Sequence, residues 1–95
     1  MINFPSIKRD ISLIVNIELP SEEIVRVIKK EGGIYLKNIV LLEQYTGAHI
    51  PAGSKGLSFS LEYQTPDRTL KDEEVTSFHN NICQALKDEL KVKIR

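Results

Sequence analysis

The middle of the chain contains a strictly alternating run that constrains the fold more than any other stretch. Apolar and polar side chains take turns from residue 57 to residue 63, which is typical of a β-strand with one buried face. The predicted buried face carries Leu57, Phe59, Leu61 and Tyr63, and the predicted open face carries Ser58, Ser60 and Glu62. With the apolar run at residues 39–45 and the Gly- and Pro-containing loop between them, this run predicts a β-hairpin over residues 39–64.

A strand and a helix are predicted before the hairpin. Residues 7–17 alternate in the manner of a half-buried strand. Residues 21–33 have apolar side chains at helical spacing, with Ser21 as the expected N-cap and glycines at the end. Glycine ends helices because it tolerates the left-handed backbone conformation.

A second helix and a short strand are predicted after the hairpin. One apolar stripe at helical spacing runs through residues 69–90, and Thr69 with Asp72 fits a capping box at its start. Residues 92–94 then alternate again, which indicates a short last strand.

The order strand-helix-strand-strand-helix-strand predicts an α+β fold of the ferredoxin-like type. Four strands would form one antiparallel sheet in the order 4-1-3-2, with both helices on one face. At 95 residues we expect a single domain, residues 1–95. The other sheet face would be open, and its two central strands would carry Asp10, Ser12, Ile14, Asn16, Ser58, Ser60 and Glu62.

Glu43 and Tyr45 lie two positions apart and therefore share one face of the predicted strand. A tyrosine ring can stack on a base, and a carboxylate only accepts hydrogen bonds, so the pair suits the N1–H and N2–H₂ edge of guanine. The alternative is that Glu43 keeps an edge strand soluble and Tyr45 packs at its end. If the pair faces the open side, an apolar strip of Ile14, Ile39 and Leu41 would be exposed there, unless a bulge switches the face.

Composition and charge exclude several function classes. The chain has 13 basic and 13 acidic residues, and a net charge of zero argues against a general polyanion binder. The one cysteine, Cys83, excludes an internal disulfide and a cysteine-cluster metal site. No apolar run approaches the ~20 residues of a membrane span, and the N-terminus does not resemble a signal peptide. We therefore expect a cytoplasmic protein with no membrane partner.

The pattern supports neither catalysis nor metal binding. His49 falls in the predicted loop and His79 in the predicted second helix, and no nucleophile–base set or metal-ligand spacing connects them. The acids at residues 22–23 and 72–74 are explained as charges at helix N-termini. We expect no catalytic residue and no metal ligand. An RNA-recognition motif is also rejected, because its outward aromatic would fall at Leu57 on the buried face.

Four segments, taken in order, closely resemble one known family. They are residues 4–12 (FPSIKRDIS), 45–47 (YTG), 50–55 (IPAGSK) and 67–75 (DRTLKDEEV). They resemble the ferredoxin-fold anticodon-binding domain at the C-terminus of the bacterial phenylalanine–tRNA ligase β subunit. The resemblance runs from about Phe4 to Arg95. It implies that the chain is a C-terminal piece of a larger β subunit and binds the anticodon stem-loop of phenylalanine tRNA.

The resemblance also implies a set of tRNA-binding residues. Many relatives carry Asp at the position of Glu43, and relatives often carry Ser at the position of Gly56. Arg95 matches a basic position near the anticodon. Lys55 and Arg68 are carried over as phosphate contacts, and Arg68 has a rival interpretation as a brace for the turn before the second helix. The implied residues are Glu43, Tyr45, Lys55, Gly56, Arg68 and Arg95.

By resemblance, this domain is catalytically inert and needs no cofactor, whereas ATP and magnesium serve the whole ligase. The implied partners are phenylalanine tRNA, the rest of the β subunit, and the α subunit in an α2β2 heterotetramer. Two rival functions stay open. One is a small-molecule regulatory module of the ferredoxin-like type, and the other is a domain that only completes assembly of the β subunit.

Overall fold

A computed structural model describes residues 4–95 as one antiparallel sheet with helices on one face. Its elements are β1 (Ile7–Asn16), α1 (Ser21–Gly32), a 3-10 turn (Gly33–Tyr35), β2 (Leu36–Tyr45), β3 (Ser54–Tyr63), α2 (Asp72–Leu90) and β4 (Lys93–Ile94). The sheet order is β2-β3-β1-β4, and each neighbouring pair is antiparallel. Read from the other edge, this is the order 4-1-3-2, so the predicted ferredoxin-like α+β architecture is confirmed.

The core lies between one face of the sheet and the two helices. The alternation over residues 57–63 of β3 is the one that the sequence predicts, because the apolar side chains there are buried and the polar ones are not. Burial of each such side chain contributes about 1.5–3 kcal/mol to folding. The fully buried set includes Leu57, Phe59, Leu61 and Tyr63 on β3, Leu13 on β1, Ile24, Val27 and Ile28 on α1, and Val75, Ile82 and Leu86 on α2.

Both helices begin in a different way from the one predicted. In α1 the N-cap is Pro20, and the hydroxyl of Ser21 donates to a carboxylate oxygen of Glu22 at 3.0 Å instead of capping the backbone. The predicted N-cap role of Ser21 is therefore wrong. The helix starts one residue earlier than the serine pattern implies, because the extended backbone at Pro20 already provides the cap position.

The predicted capping box of Thr69 and Asp72 is also wrong. The N-cap of α2 is Lys71, and its backbone N–H donates to the Glu74 carboxylate at 3.4 Å. Leu70 is buried in the core and Lys71 after it has an extended backbone, so the helix starts at Asp72. The end of α1 agrees with the sequence, since Gly33 follows it with a φ of 64°.

A β-bulge in β2 decides which side chains face the open side. Ile39 and Leu41 lie opposite Leu61 and Phe59 of β3, whose side chains are on the helix-covered side. The register then shifts, and Glu43 lies opposite Ser58, so Leu42 is the extra residue. The predicted open-face strip is therefore not formed by Ile39 and Leu41. The bulge alternative holds instead, and it turns Glu43 to the open face.

No helix within residues 4–95 is long and apolar enough to cross a membrane.

Candidate nucleic-acid interface

Two rows of residues cross the open face at the end of the sheet nearest the β2–β3 loop. Residues directly opposite each other in an antiparallel pair point to the same side, so strand register defines each row. The β4 end of the first row is fixed by the backbone N–H of Arg95, which donates to the carbonyl of Ser12 at 2.9 Å. The first row is Glu43, Ser58, Ser12 and Arg95, and the second is Tyr45, Gly56, Ile14 and Lys93. We call these residues the two-row surface.

The ring of Tyr45 lies directly over Gly56. A Cβ placed on Gly56 would be 2.5 Å from Cε2 and 2.9 Å from Cε1 of Tyr45, well inside van der Waals contact. Gly56 is buried, and Tyr45 is half-buried. The ring therefore rests against the backbone of β3, in space that a larger residue at position 56 would fill.

Arg95 holds the same ring at its hydroxyl. Nη1 of Arg95 donates a hydrogen bond to the Tyr45 hydroxyl oxygen at 2.7 Å. The guanidinium carbon lies 6.0 Å from the ring centroid, the outer limit for a cation–π contact, so the hydrogen bond is the main interaction. β3 therefore lies beneath the ring and Arg95 lies at its hydroxyl, and the Tyr45 side chain stays partly exposed.

Glu43 supplies an exposed carboxylate beside this ring. It lies on the same face as Tyr45, one row away, which is roughly 7 Å along a strand. Next to it in the row, the hydroxyls of Ser58 and Ser12 are 3.2 Å apart, and either can donate. A planar group stacked on Tyr45 could therefore direct hydrogen-bond donors toward Glu43 and reach hydroxyls that both donate and accept.

The sequence profile described as the ferredoxin-fold anticodon binding domain matches residues 3–95. The chain belongs to this family. Its relatives include phenylalanine–tRNA ligase β subunits. That of Lactiplantibacillus plantarum is 39% identical over 92 residues, which cover 97% of this chain and 11% of the relative.

Two further β subunits give the same result. That of Halalkalibacterium halodurans is 45% identical over 83 residues, covering 87% of this chain and 10% of the relative. That of Bacillus subtilis is 38% identical over 92 residues, covering 97% of this chain and 11% of the relative. This anticodon-binding domain therefore spans about a tenth of the length of the curated relatives that it matches.

In this anticodon-binding domain, Lys55 lies away from the two-row surface. It is opposite Val15 and alternates with Gly56, so its side chain leaves the sheet on the helix-covered side. Only 9% of its surface is exposed. The structure does not bring Lys55 together with Tyr45.

Arg68 lies near the opposite end of the sheet. Gly56 and Tyr63 are seven steps apart on β3, roughly 23 Å at about 3.3 Å per residue, and Arg68 follows that far end. Its guanidinium forms a bidentate ion pair with Glu74, with N–O distances of 2.6 and 2.9 Å. This pairing lowers the pKa of the Glu74 carboxyl and raises the pKa of Arg68. The ion pair joins the turn before α2 to the first turn of that helix, which fits the rival interpretation of Arg68 as a brace.

The histidines of the domain lie outside the two-row surface. His49 is exposed in the loop between β2 and β3. His79 is half-buried, and its Nδ1 lies 3.5 Å from the Tyr63 hydroxyl. Burial, and then the charge of Arg9, lowers the pKa of His79, whereas burial raises the pKa of Tyr63 to about 12. Within the described residues, no group of three or more His, Cys, Asp or Glu side chains is placed to share a metal ion.

Sequence reasoning missed some members of the surface. It assigned Ser12 and Ser58 to the open face but not to the row of Glu43, and it did not single out Lys93. The signal for the serines was the strand alternation. The row itself depends on the registers of three strand pairs, which local patterns do not specify.

Proposed function

We propose that this chain binds the anticodon stem-loop of phenylalanine tRNA, as the anticodon-binding part of a phenylalanine–tRNA ligase β subunit. The observation that carries the proposal is the 2.7 Å hydrogen bond between Arg95 and Tyr45, beside Glu43 on the open sheet face. Membership in the anticodon-binding family and the ligase relatives support the same assignment.

Tyr45 is the stacking platform for the first anticodon base. Stacking of a base on an aromatic side chain contributes about 1–3 kcal/mol to binding. Because β3 and Arg95 already hold the ring, binding costs little side-chain entropy. The platform accepts any base and therefore gives affinity without choosing among bases.

Glu43 provides the selectivity for guanine over other bases. Its carboxylate accepts from N1–H and N2–H₂ of guanine, the base that begins the anticodon of phenylalanine tRNA. Adenine presents an acceptor at N1, which leaves the carboxylate without its partners at a cost of about 1–3 kcal/mol. The exposed position of Glu43 on the face of Tyr45 supports this role.

Arg95 and Lys93 supply positive charge for the phosphates near the stacked base. Lys93 lies in β4 and Arg95 directly follows that strand, both at the edge of the two-row surface. Lys55 and Arg68 stay predicted phosphate contacts away from this surface. For Arg68, the ion pair with Glu74 favours the bracing role. With a net charge of zero, the domain would leave much of the tRNA affinity to other parts of a ligase.

The wider setting belongs to the same proposal. Residues 1–95 would be a single domain at the C-terminus of a longer β subunit, in a cytoplasmic α2β2 ligase. Aminoacylation, with its ATP and magnesium, would take place on the α subunit. This domain would have no catalytic residue and would position the tRNA.

An NMR titration tests the proposal. The labelled chain is mixed with anticodon stem-loops of phenylalanine tRNA that carry guanine or, as control, adenine at the first anticodon position. We expect amide shifts at Glu43, Tyr45, Gly56 and Arg95 with the guanine loop and weaker shifts with adenine. Equal shifts with both loops would refute base reading by Glu43. No shift at millimolar RNA would refute binding by the chain alone.

One observation favours assembly as a second function. Val40, Leu41 and Leu42 are consecutive on the edge strand β2, and each has more than two-fifths of its surface exposed. Such a segment suits contact with another part of a β subunit. Normal tRNA charging by a ligase with both Glu43→Ala and Tyr45→Ala would favour assembly over anticodon reading.

A further inference from the structure

We infer that Gly56 is a positioning residue that sets the height and orientation of the Tyr45 ring above the sheet. The inference rests on the proposed function and deepens it. Gly56 would make no contact with a base itself. It would act through the ring that lies over it.

The backbone at position 56 does not require glycine. Among residues 4–95, the glycines with positive φ are Gly33, Gly47 and Gly53, and Gly56 is not one of them. Its place inside strand β3 even disfavours glycine, which loses more backbone entropy than other residues. A reason for glycine at this position must therefore come from the space above it.

The ring of Tyr45 occupies that space. The three heavy atoms nearest to a Cβ at position 56 all belong to the Tyr45 ring: Cζ, Cε2 and Cε1. These atoms form the far end of a side chain that can rotate. A methyl group at position 56 would therefore lift the ring and leave the strand backbone in place.

Lifting the ring would also break the hydrogen bond between Tyr45 and Arg95. The hydrogen bond joins the last residue of edge strand β2 to the residue after edge strand β4, and at 2.7 Å it depends on where the hydroxyl lies. Gly56 thus fixes two features together, the plane on which a base would stack and the position of the Arg95 guanidinium. Both features lie on the open face, outside the buried core.

A mutant cycle separates positioning from direct contact. The variants are Gly56→Ala, Tyr45→Ala and the double variant, and the probe is the guanine-first anticodon stem-loop. We expect Gly56→Ala to weaken binding about three- to tenfold, part of the loss caused by removing the stacking ring. In the Tyr45→Ala background, Gly56→Ala should cause no further loss. Ser60→Ala, on the same strand and face but outside the two-row surface, is the matched control and should bind like wild type.

A measurement without RNA tests whether the Tyr45 ring packs on Gly56. The Hα protons of Gly56 should be shifted upfield by the Tyr45 ring current, and the shift should disappear in Tyr45→Ala. An ordinary Hα shift, wild-type binding by Gly56→Ala, or an equal loss in both backgrounds would each overturn the inference. If wild type fails to bind the loop, both the proposed function and the binding role of Gly56 are refuted. The ring-current shift still decides whether the Tyr45 ring packs on Gly56.

Discussion

The hydroxyl of Tyr45 accepts a hydrogen bond from Nη1 of Arg95 at 2.7 Å, across the open face of the sheet. The two residues come from the β2 and β4 edges and are 50 positions apart in sequence. Their side chains meet over the two central strands, β3 and β1, at the end of the sheet nearest the β2–β3 loop. An aromatic ring and a cation are therefore held together on the open face. Anticodon reading, as proposed here, depends on this pair and on Glu43.

Tyr45→Phe removes the hydroxyl that Arg95 binds and keeps the ring over Gly56. We expect the free energy of unfolding to fall by about 1 kcal/mol or less, because the hydrogen bond is exposed. Binding of the guanine-first stem-loop should weaken less than in Tyr45→Ala, which also loses the stacking surface. Anisotropy titrations of both variants check this order. Equal losses would show that the hydroxyl, and not the ring, carries binding.

Arg95→Ala and Arg68→Ala form a matched pair, because each removes one guanidinium from the domain. Arg95→Ala should weaken RNA binding and reduce the slope of log affinity against log salt by about 0.7, the value for one phosphate contact on a single strand. Arg68→Ala should leave both quantities unchanged, since Arg68 is paired with Glu74 near the other end of the sheet. Titrations at several salt concentrations measure the slopes. A reduced slope in Arg68→Ala would restore it as a phosphate contact.

Phe59→Ala should lower the free energy of unfolding by about 3–5 kcal/mol, because Phe59 is fully buried at the centre of β3. Phe78→Ala should cost less, because Phe78 is only half-buried and stacks on Tyr35 at a centroid distance of 5.2 Å. Urea denaturation followed by circular dichroism gives both values. The reverse order would contradict the greater burial of Phe59.

The half-buried His79 should make stability depend on pH in the range where histidine titrates. Burial and the charge of Arg9 lower its pKa from the ordinary value of 6.5, so the folded state favours neutral imidazole. The resulting stability is present above about pH 6.5 and is lost as the pH falls through the folded-state pKa. Thermal melts at about pH 7.5 and pH 5 measure the loss.

Two variants isolate the contribution of His79. His79→Leu should flatten the pH dependence over this range, and His49→Ala, which changes an exposed loop histidine, should not. A wild-type melting temperature that does not change between the two pH values would contradict the assignment.

The fold was predictable because its strongest signals are local. The alternation around Phe59 and the helical apolar stripes follow directly from which face of each element is buried. The helix starts were not predictable from cap residues, because Pro20 and Lys71, which have no side-chain preference for the position, are the N-caps. Local sequence describes side-chain preference, and tertiary packing chooses among the possible caps.

The candidate surface was predictable only in part. Leu41 and Leu42 are both apolar, so the sequence leaves open which one is the bulge, and that bulge decides where Glu43 points. The contact between Arg95 and Tyr45 requires the registers of three strand pairs. Lys55 is a different case, because it lies two positions before Leu57 and shares its buried face, whereas the resemblance implies a phosphate contact.

The central claim is that Glu43 reads the donor edge of a guanine stacked on Tyr45. The most direct measurement compares stem-loops with guanine and inosine at the first anticodon position, because inosine lacks only the N2 amino group. We expect wild type to prefer guanine by about fivefold or more, the effect of one lost hydrogen bond to a charged acceptor. Glu43→Ala should bind both loops alike, and Gln44→Ala, whose side chain lies opposite Leu57 on the other face, should keep the preference. Equal binding of both loops by wild type, or a preference that survives Glu43→Ala, would contradict the claim.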